Sequence, residues 1–187
     1  MASDKVERIL AAIAALSEEE RVELLQRLAG EEDLFPATQS PLPLQFTSIE
    51  LKGPADYTLT FDGGSQGNPG PGYGSYAVTR ASDGKQDLVR LDFGRTMTNN
   101  EAEYEALIAA LQGLIERIEA AGRSPGDFGV EVRGDSSLVV RQIEGSWKTK
   151  EDRMRLLRNR CRELLGHFKG YRLIQHGREE SVRVLGH

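Results

Sequence analysis

Between residues 57 and 76 the chain alternates, then fills with glycine, then alternates again. Tyr57-Thr58-Leu59-Thr60-Phe61 has the period-two pattern and β-rich composition of a strand. It runs into Asp62-Gly63-Gly64-Ser65 and Gly67-Asn68-Pro69-Gly70-Pro71-Gly72, and Gly74-Ser75-Tyr76-Ala77-Val78 resumes as a second strand. Glycine and proline at this density enforce a tight reversal, so the segment predicts a β-hairpin whose first strand ends on the carboxylate of Asp62. Residues 87–94 suit a third strand. Asn100–Glu119 has helical spacing, with Ala102, Leu107, Ile108, Leu111, Leu114, Ile115 and Ile118 as its core face. Val130–Arg133 is a fourth strand, followed by Asp135 and a helix through Ile143. Residues 151–168 predict a basic helix and Tyr171–Ile174 a fifth strand, with no helix after it. The order β-β-β-α-β-α-α-β describes an α/β fold: a mixed five-stranded sheet flanked by helices.

The first third of the chain is different. Val6, Ile9, Leu10, Ile13 and Leu16 repeat with helical spacing, and Ser17 with Glu20 forms a capping box before a second helix carrying Leu24, Leu25 and Leu28. Residues 1–30 therefore predict a helical hairpin, too small to bury much surface alone and suited to self-association or a partner contact. Residues 31–54, with Pro36, Pro41, Pro43 and Pro54, read as a linker, leaving 55–187 as the main domain.

Charge is unevenly spread. Residues 1–54 carry ten acids and five bases, whereas 55–187 carry nineteen of each. Within the latter, 141–172 holds ten bases against four acids, a stripe suited either to a polyanion or to a solvated helix face. No apolar run approaches the ~20 residues that span a bilayer, and no secretory leader is evident, so a cytoplasmic protein with no membrane partner is expected. Cys161 is the sole cysteine, which excludes an intrachain disulfide and a cysteine-cluster metal site.

Three carboxylates stand where chemistry is done in α/β proteins. Asp62 and Asp135 end strands, and Glu103 lies in the first turn of the long helix. Groups beyond strand ends converge on one rim. Carboxylates brought together there repel unless a cation neutralises them, and hard divalent ions with oxygen ligands do so. A pair of such ions ~4 Å apart clamps a phosphodiester.

The motifs resemble those of type 1 ribonuclease H. Tyr57 to Tyr76 is similar to that family's opening motif, Thr98-Asn99-Asn100-Glu101-Ala102-Glu103 to its T-N-N-x-x-E segment, and Gly134-Asp135-Ser136 with Val139-Val140 to its third motif. Order and spacing agree across about 120 residues. The resemblance implies a ribonuclease H fold and a metal-dependent endoribonuclease that cuts the RNA strand of RNA–DNA hybrids, leaving a 3′-hydroxyl and a 5′-phosphate. It makes Asp62, Glu103 and Asp135 ligands of two Mg²⁺ or Mn²⁺ ions. Asn68 and Thr98 are expected to meet phosphate, Asn99 and Asn100 to reach sugar hydroxyls and minor-groove edges, and Lys148 and Lys150, beside Trp147, to bind the backbone.

The match lapses near the C-terminus, where the family carries a fourth carboxylate in a segment resembling H-x-P-R-E-x-N-x-x-A-D. Registered on Arg178-Glu179, that position is Leu185; registered on His176, it is Gly186. Three readings follow: a catalytically weakened homologue, Glu179 or Glu180 swinging in, or His187 supplying the ligand through its imidazole or the terminal carboxylate. The last is favoured, and an imidazole would tilt preference toward Mn²⁺. His176 falls near the family's mobile histidine. The alternative function is a nucleic-acid-binding module that kept the fold without catalysis.

Overall fold

The chain divides into two units, Met1–Gln45 and Phe46–His187. The computed structural model describes residues 50–186, all in the second. The helical hairpin of 1–30, residues 31–49 of the linker and His187 lie outside the described residues.

The elements are β1 (Tyr57–Ser65), β2 (Gly70–Arg80), β3 (Gln86–Met97), α1 (Asn99–Ala120), a 3₁₀ turn (Pro125–Asp127), β4 (Gly129–Gly134), α2 (Ser137–Glu144), α3 (Asp152–Leu165), β5 (Gly170–Gln175) and α4 (Arg178–Leu185). They form a five-stranded sheet in the order β3-β2-β1-β4-β5. β1 pairs antiparallel with β2 and parallel with β4, so the expected mixed sheet is present with β1 at its centre. The sheet's β5 edge reaches back into the stretch read as linker, where the Leu51 amide donates to the Tyr171 carbonyl at 3.0 Å.

Alternation along β1 and β4 turns Leu59, Phe61, Val130 and Val132 to one face, where all four are buried. The apolar stripe of α1 closes over them with Tyr104, Leu107, Leu111 and Leu114, and α3 adds Cys161 and Leu165. Tyr104 is wholly buried, and its hydroxyl is satisfied by donating to Gln142 Oε1 at 2.9 Å. Burial pushes both the Cys161 thiol and the Tyr104 phenol above their ordinary ranges, so each stays protonated as a core group.

Three features differ from the sequence reading. β1 does not stop at Asp62: it runs to Ser65, pairing Gly63 with Gly74, Gly64 with Tyr73 and Ser65 with Gly72. Period-two alternation vanishes in a run of glycines, which is why this part of the strand looked like a loop. Gly63 is required for a reason internal to the fold. A Cβ there would lie 2.3 Å from the Ala102 carbonyl oxygen, so the glycine admits the backbone of α1.

Secondly, a helix does follow the fifth strand. α4 is short and polar, with no side-chain cap at its start, and its sequence gives little signal. It is held by tertiary packing: Leu185 is fully buried, and burial of one leucine is worth ~1.5–3 kcal/mol. Thirdly, the basic stripe is largely compensated. Arg141 pairs with Glu144, Arg153 with Glu101, Arg155 with Asp152, Arg160 with Glu163 and Arg172 with Glu131. Arg162 donates instead to the carbonyls of Ile143 and Gln142 at the end of α2. The nearly buried Glu131 lies between Arg133 and Arg172. Burial opposes ionisation of this carboxyl, but the hydrogen bonds from the two arginines outweigh it and hold its pKa below the usual carboxylate range.

Gly63→Ala should lower unfolding stability in urea by at least ~1–3 kcal/mol, the range for overpacking a well-filled contact. Gly84→Ala, at a turn where no atom lies within 4 Å of the added Cβ, carries only the strain of its positive φ and should cost less. Equal costs would mean that α1 does not press on β1 at this point.

Candidate active site

β4 pairs with β1 only as far as Phe61 opposite Gly134, so Asp62 and Asp135 follow side by side where the two central strands part. Gly134 has no room for a side chain, because a Cβ would lie 2.6 Å from the Phe61 ring. α1 supplies the third acid. Thr98 is its N-cap in a reciprocal capping box: the Thr98 hydroxyl accepts from the Glu101 amide at 3.3 Å, and Glu101 Oε2 accepts from the Thr98 amide at 2.7 Å. That start at Asn99 sets the phase of the helix and turns Glu103 toward the sheet. Glu103 thus lies about a turn into α1. One oxygen from each of Asp62, Glu103 and Asp135 falls within 4.8 Å of the others.

Asp62 is only 3% exposed, and Glu103 and Asp135 are partly buried. Burial is the main cause that pushes the Glu103 pKa up to about 7, opposed by a hydrogen bond from Ser136 and reinforced by the negative charges of Asp135 and Asp62. Glu103 Oε2 is buried and has no hydrogen-bond partner. Arg178, the first residue of α4, lays one guanidinium nitrogen across the aspartates, 3.1 and 3.0 Å from the two Asp62 oxygens and 3.1 Å from Asp135 Oδ2. A cationic group already sits against two of the acids, and a buried oxygen of the third lacks a partner. Oxygen donors of this kind match a hard divalent cation, so the residues fit the metal that the motifs imply.

Beside the acids, the loop after β1 is tied to the start of α1. Asn99 Oδ1 accepts from the Ser65 amide at 2.9 Å and from the Ser65 hydroxyl at 2.8 Å, while the Asn99 amide donates to Asn68 Oδ1 at 3.2 Å. Asn68, Thr98 and Asn99 are thereby brought together, and the Thr98 hydroxyl also works as a helix cap. Asn100 is exposed and lines a shallow hollow with Lys148, Thr149 and Lys150, so the α2–α3 loop reaches the N-terminus of α1. Trp147, beside the two lysines, is 50% exposed in that loop.

The C-terminal expectations fare differently. Leu185, at the family's aspartate position in one register, is a core residue with no access to ligand work. Glu180 is engaged by Arg183 at 2.5 Å, and Glu179 and Glu180 line a depression with Arg133, His176 and Arg183. Neither belongs to the acidic cluster found among the described residues. The His176 amide donates to the Gly134 carbonyl at 3.1 Å, next to Asp135 in the chain. Its Nδ1 lies 2.9 Å from the Gly177 carbonyl oxygen, and its Nε2 is buried without a partner. Sequence reasoning missed Arg178, which served there only to set a register. No local pattern in the sequence could have found it, because the acids it meets lie 116 and 43 residues away.

The fold and rim define an α/β protein with a carboxylate cluster at the parting of its two central parallel strands. Residues 60–184 match the family described as Reverse transcriptase-like. The chain is 40% identical over 127 residues to the ribonuclease HI of Halobacterium salinarum, covering 66% of this chain and 58% of that protein. The crystal structure of ribonuclease H1 from the same archaeon superposes with a TM-score of 0.56 at 34% identity, over 68% of this chain and 90% of that one. LC11 ribonuclease H1 in complex with an RNA/DNA hybrid gives a TM-score of 0.58 at 30% identity, with 68% and 90% covered. The chain belongs to the type 1 ribonuclease H family. It spans somewhat more than half the length of its curated relative from H. salinarum.

The raised pKa of Glu103 has a stability consequence with a definite sign. The folded protein holds this proton up to about pH 7, whereas the unfolded chain releases it near 4.5. Stability therefore falls as pH rises from 4.5 through 7, because the unfolded state ionises first. In chelator, Glu103→Gln should be more resistant to urea than the parent above pH 7 and indistinguishable from it below about pH 4.5. A constant difference across that range would assign the effect to packing instead.

Proposed function

We infer that the protein is an endoribonuclease that hydrolyses the RNA strand of RNA–DNA hybrids, with two divalent ions, Mg²⁺ or Mn²⁺, held at Asp62, Glu103 and Asp135. The observation that carries this reading is the convergence of three carboxylates from β1, α1 and the end of β4 within 4.8 Å, together with an unpartnered buried oxygen on Glu103. A structure serving only to bind nucleic acid has no use for clustered acids beside phosphate, which they repel. Family membership and the hybrid bound by LC11 ribonuclease H1 support the same substrate.

Divalent ions in such a site lower the pKa of water and neutralise charge developing on phosphate. The protein's own groups position the substrate. Asp62 and Asp135 are fixed by the sheet and Glu103 by the capped helix, so the cluster needs little rearrangement to act. The exposed Asn100 and the tethered Asn99 lie where a shallow minor groove with 2′-hydroxyls would pass, the feature that separates RNA from DNA. Lys148 and Lys150 take backbone phosphates on the flank, with Trp147 offering an apolar face to a sugar or base. His176, one residue beyond β5, is the candidate to move a proton or assist metal departure. His187 is retained as candidate fourth ligand, to be tested by His187→Ala at limiting Mn²⁺. Among the described residues no helix is long and apolar enough to cross a membrane. Self-association through residues 1–30 is proposed from sequence alone, and sedimentation of a chain lacking 1–50 tests it.

Asp62→Asn and Asp135→Asn should each lower cleavage of a labelled hybrid by orders of magnitude at saturating Mg²⁺ or Mn²⁺, with the circular dichroism of the folded protein retained. Duplex DNA should resist the parent protein. Near-normal cleavage by either variant would refute the site. Hybrid binding by the Asp62→Asn protein should weaken steeply with salt, and Lys148→Ala/Lys150→Ala should reduce the slope of log K against log salt by about 2 if both contact phosphate.

A further inference from the structure

The strongest feature outside the expected machinery is the placement of Arg178. One guanidinium nitrogen engages both oxygens of Asp62 and one of Asp135, yet the arginine side chain as a whole is 60% exposed. Asp62 is nearly buried, so the contact reaches inward from the rim. Arg178 begins α4, which is anchored further along by Ser181 and Leu185, so its side chain is free to rotate outward without moving the helix.

This geometry makes the arginine and a divalent ion rivals. Both require the Asp62 and Asp135 oxygens, and a guanidinium already hydrogen-bonded to three of them leaves fewer lone pairs for an incoming ion. The guanidinium quiets only two of the three acids, leaving Glu103 Oε2 unpartnered. Resting on the proposed metal role of this cluster, we propose that Arg178 is an internal counter-cation that occupies the site in the metal-free protein and is displaced outward when a divalent ion enters. Arg178 is then a positioning residue. It holds the aspartates together against their own repulsion while the site is empty, and its displacement lowers the apparent affinity for metal.

The test is direct binding of Mn²⁺ to the full-length protein, followed by the electron paramagnetic resonance of free Mn²⁺ and by calorimetry, for the parent, Arg178→Ala, Arg178→Lys and Asp62→Asn. Arg178→Ala should bind Mn²⁺ up to about fivefold more tightly, the fold-change that one ion pair at a largely exposed arginine is worth. Its melting temperature in chelator should fall, and the rise in melting temperature on adding Mn²⁺ should grow. Arg178→Lys, which keeps the charge but not the fork, should lie between. A merely structural arginine would give the opposite, because loosening the aspartates weakens metal binding. Unchanged or weaker Mn²⁺ affinity in Arg178→Ala, with the parent binding and Asp62→Asn not, overturns the rivalry and leaves the active-site reading standing. If parent and Arg178→Ala both fail to bind Mn²⁺, the metal role of the cluster fails and the rivalry with it.

Discussion

At Gly63 a hydrogen stands where any other residue would drive a carbon into the carbonyl of Ala102. That close approach of α1 to β1 governs the molecule's chemistry. It sets how deep the helix sits on the sheet, and so how near Glu103 comes to Asp62 and Asp135. The same face carries the core, in which Leu59, Phe61, Val130 and Val132 pack against Tyr104, Leu107, Leu111 and Leu114. The site is thus an extension of the core's packing, and its precision is inherited from well-packed elements instead of flexible loops.

Bringing three acids together has an electrostatic cost, and the protein meets it in several ways. Glu103 holds its proton to about pH 7, Ser136 donates a hydrogen bond to it, and Arg178 lies across the other two. Elsewhere the chain balances buried charge by the same means, with Glu131 between Arg133 and Arg172. The difference is in what is left over. Glu131 is fully served by its arginines, whereas the acidic cluster retains a buried oxygen without a partner. A buried carboxylate oxygen without a partner, beside two further acids, is a donor set that a hard cation fits.

The arginines of 141–172 show how far a charge count can mislead. Most of the ten bases have partners: carboxylates on their own helix, Glu101 on α1, Glu131 on β4, or carbonyls at the end of α2. Arg153 meets Glu101 at 2.5 Å, which ties α3 to the capped start of α1 that presents the asparagines. The bases near the proposed substrate path are instead Lys148 and Lys150, carried by a loop that reaches Asn100.

The sequence by itself determined the strands, the long helix and the three acids, because these rest on local rules. Period-two and helical repeats expose β1, β4 and α1, and Asp62, Glu103 and Asp135 stand at fixed offsets from them. Local rules fail where a neighbour distant in sequence does the stabilising. The glycines of β1 continue the strand only because β2 pairs with them. α4 is a helix because Leu185 finds a buried surface, not because its own eight residues favour it. Leu185 went inward where a carboxylate was sought. Arg178 acquired its place solely from the docking of α4 beside the parting strands, since no pattern in Arg178-Glu179-Glu180 says which acids, 43 and 116 residues away, the guanidinium will meet. Periodicity is written residue by residue, whereas the pairing of charges across a fold is decided only once the chain has closed.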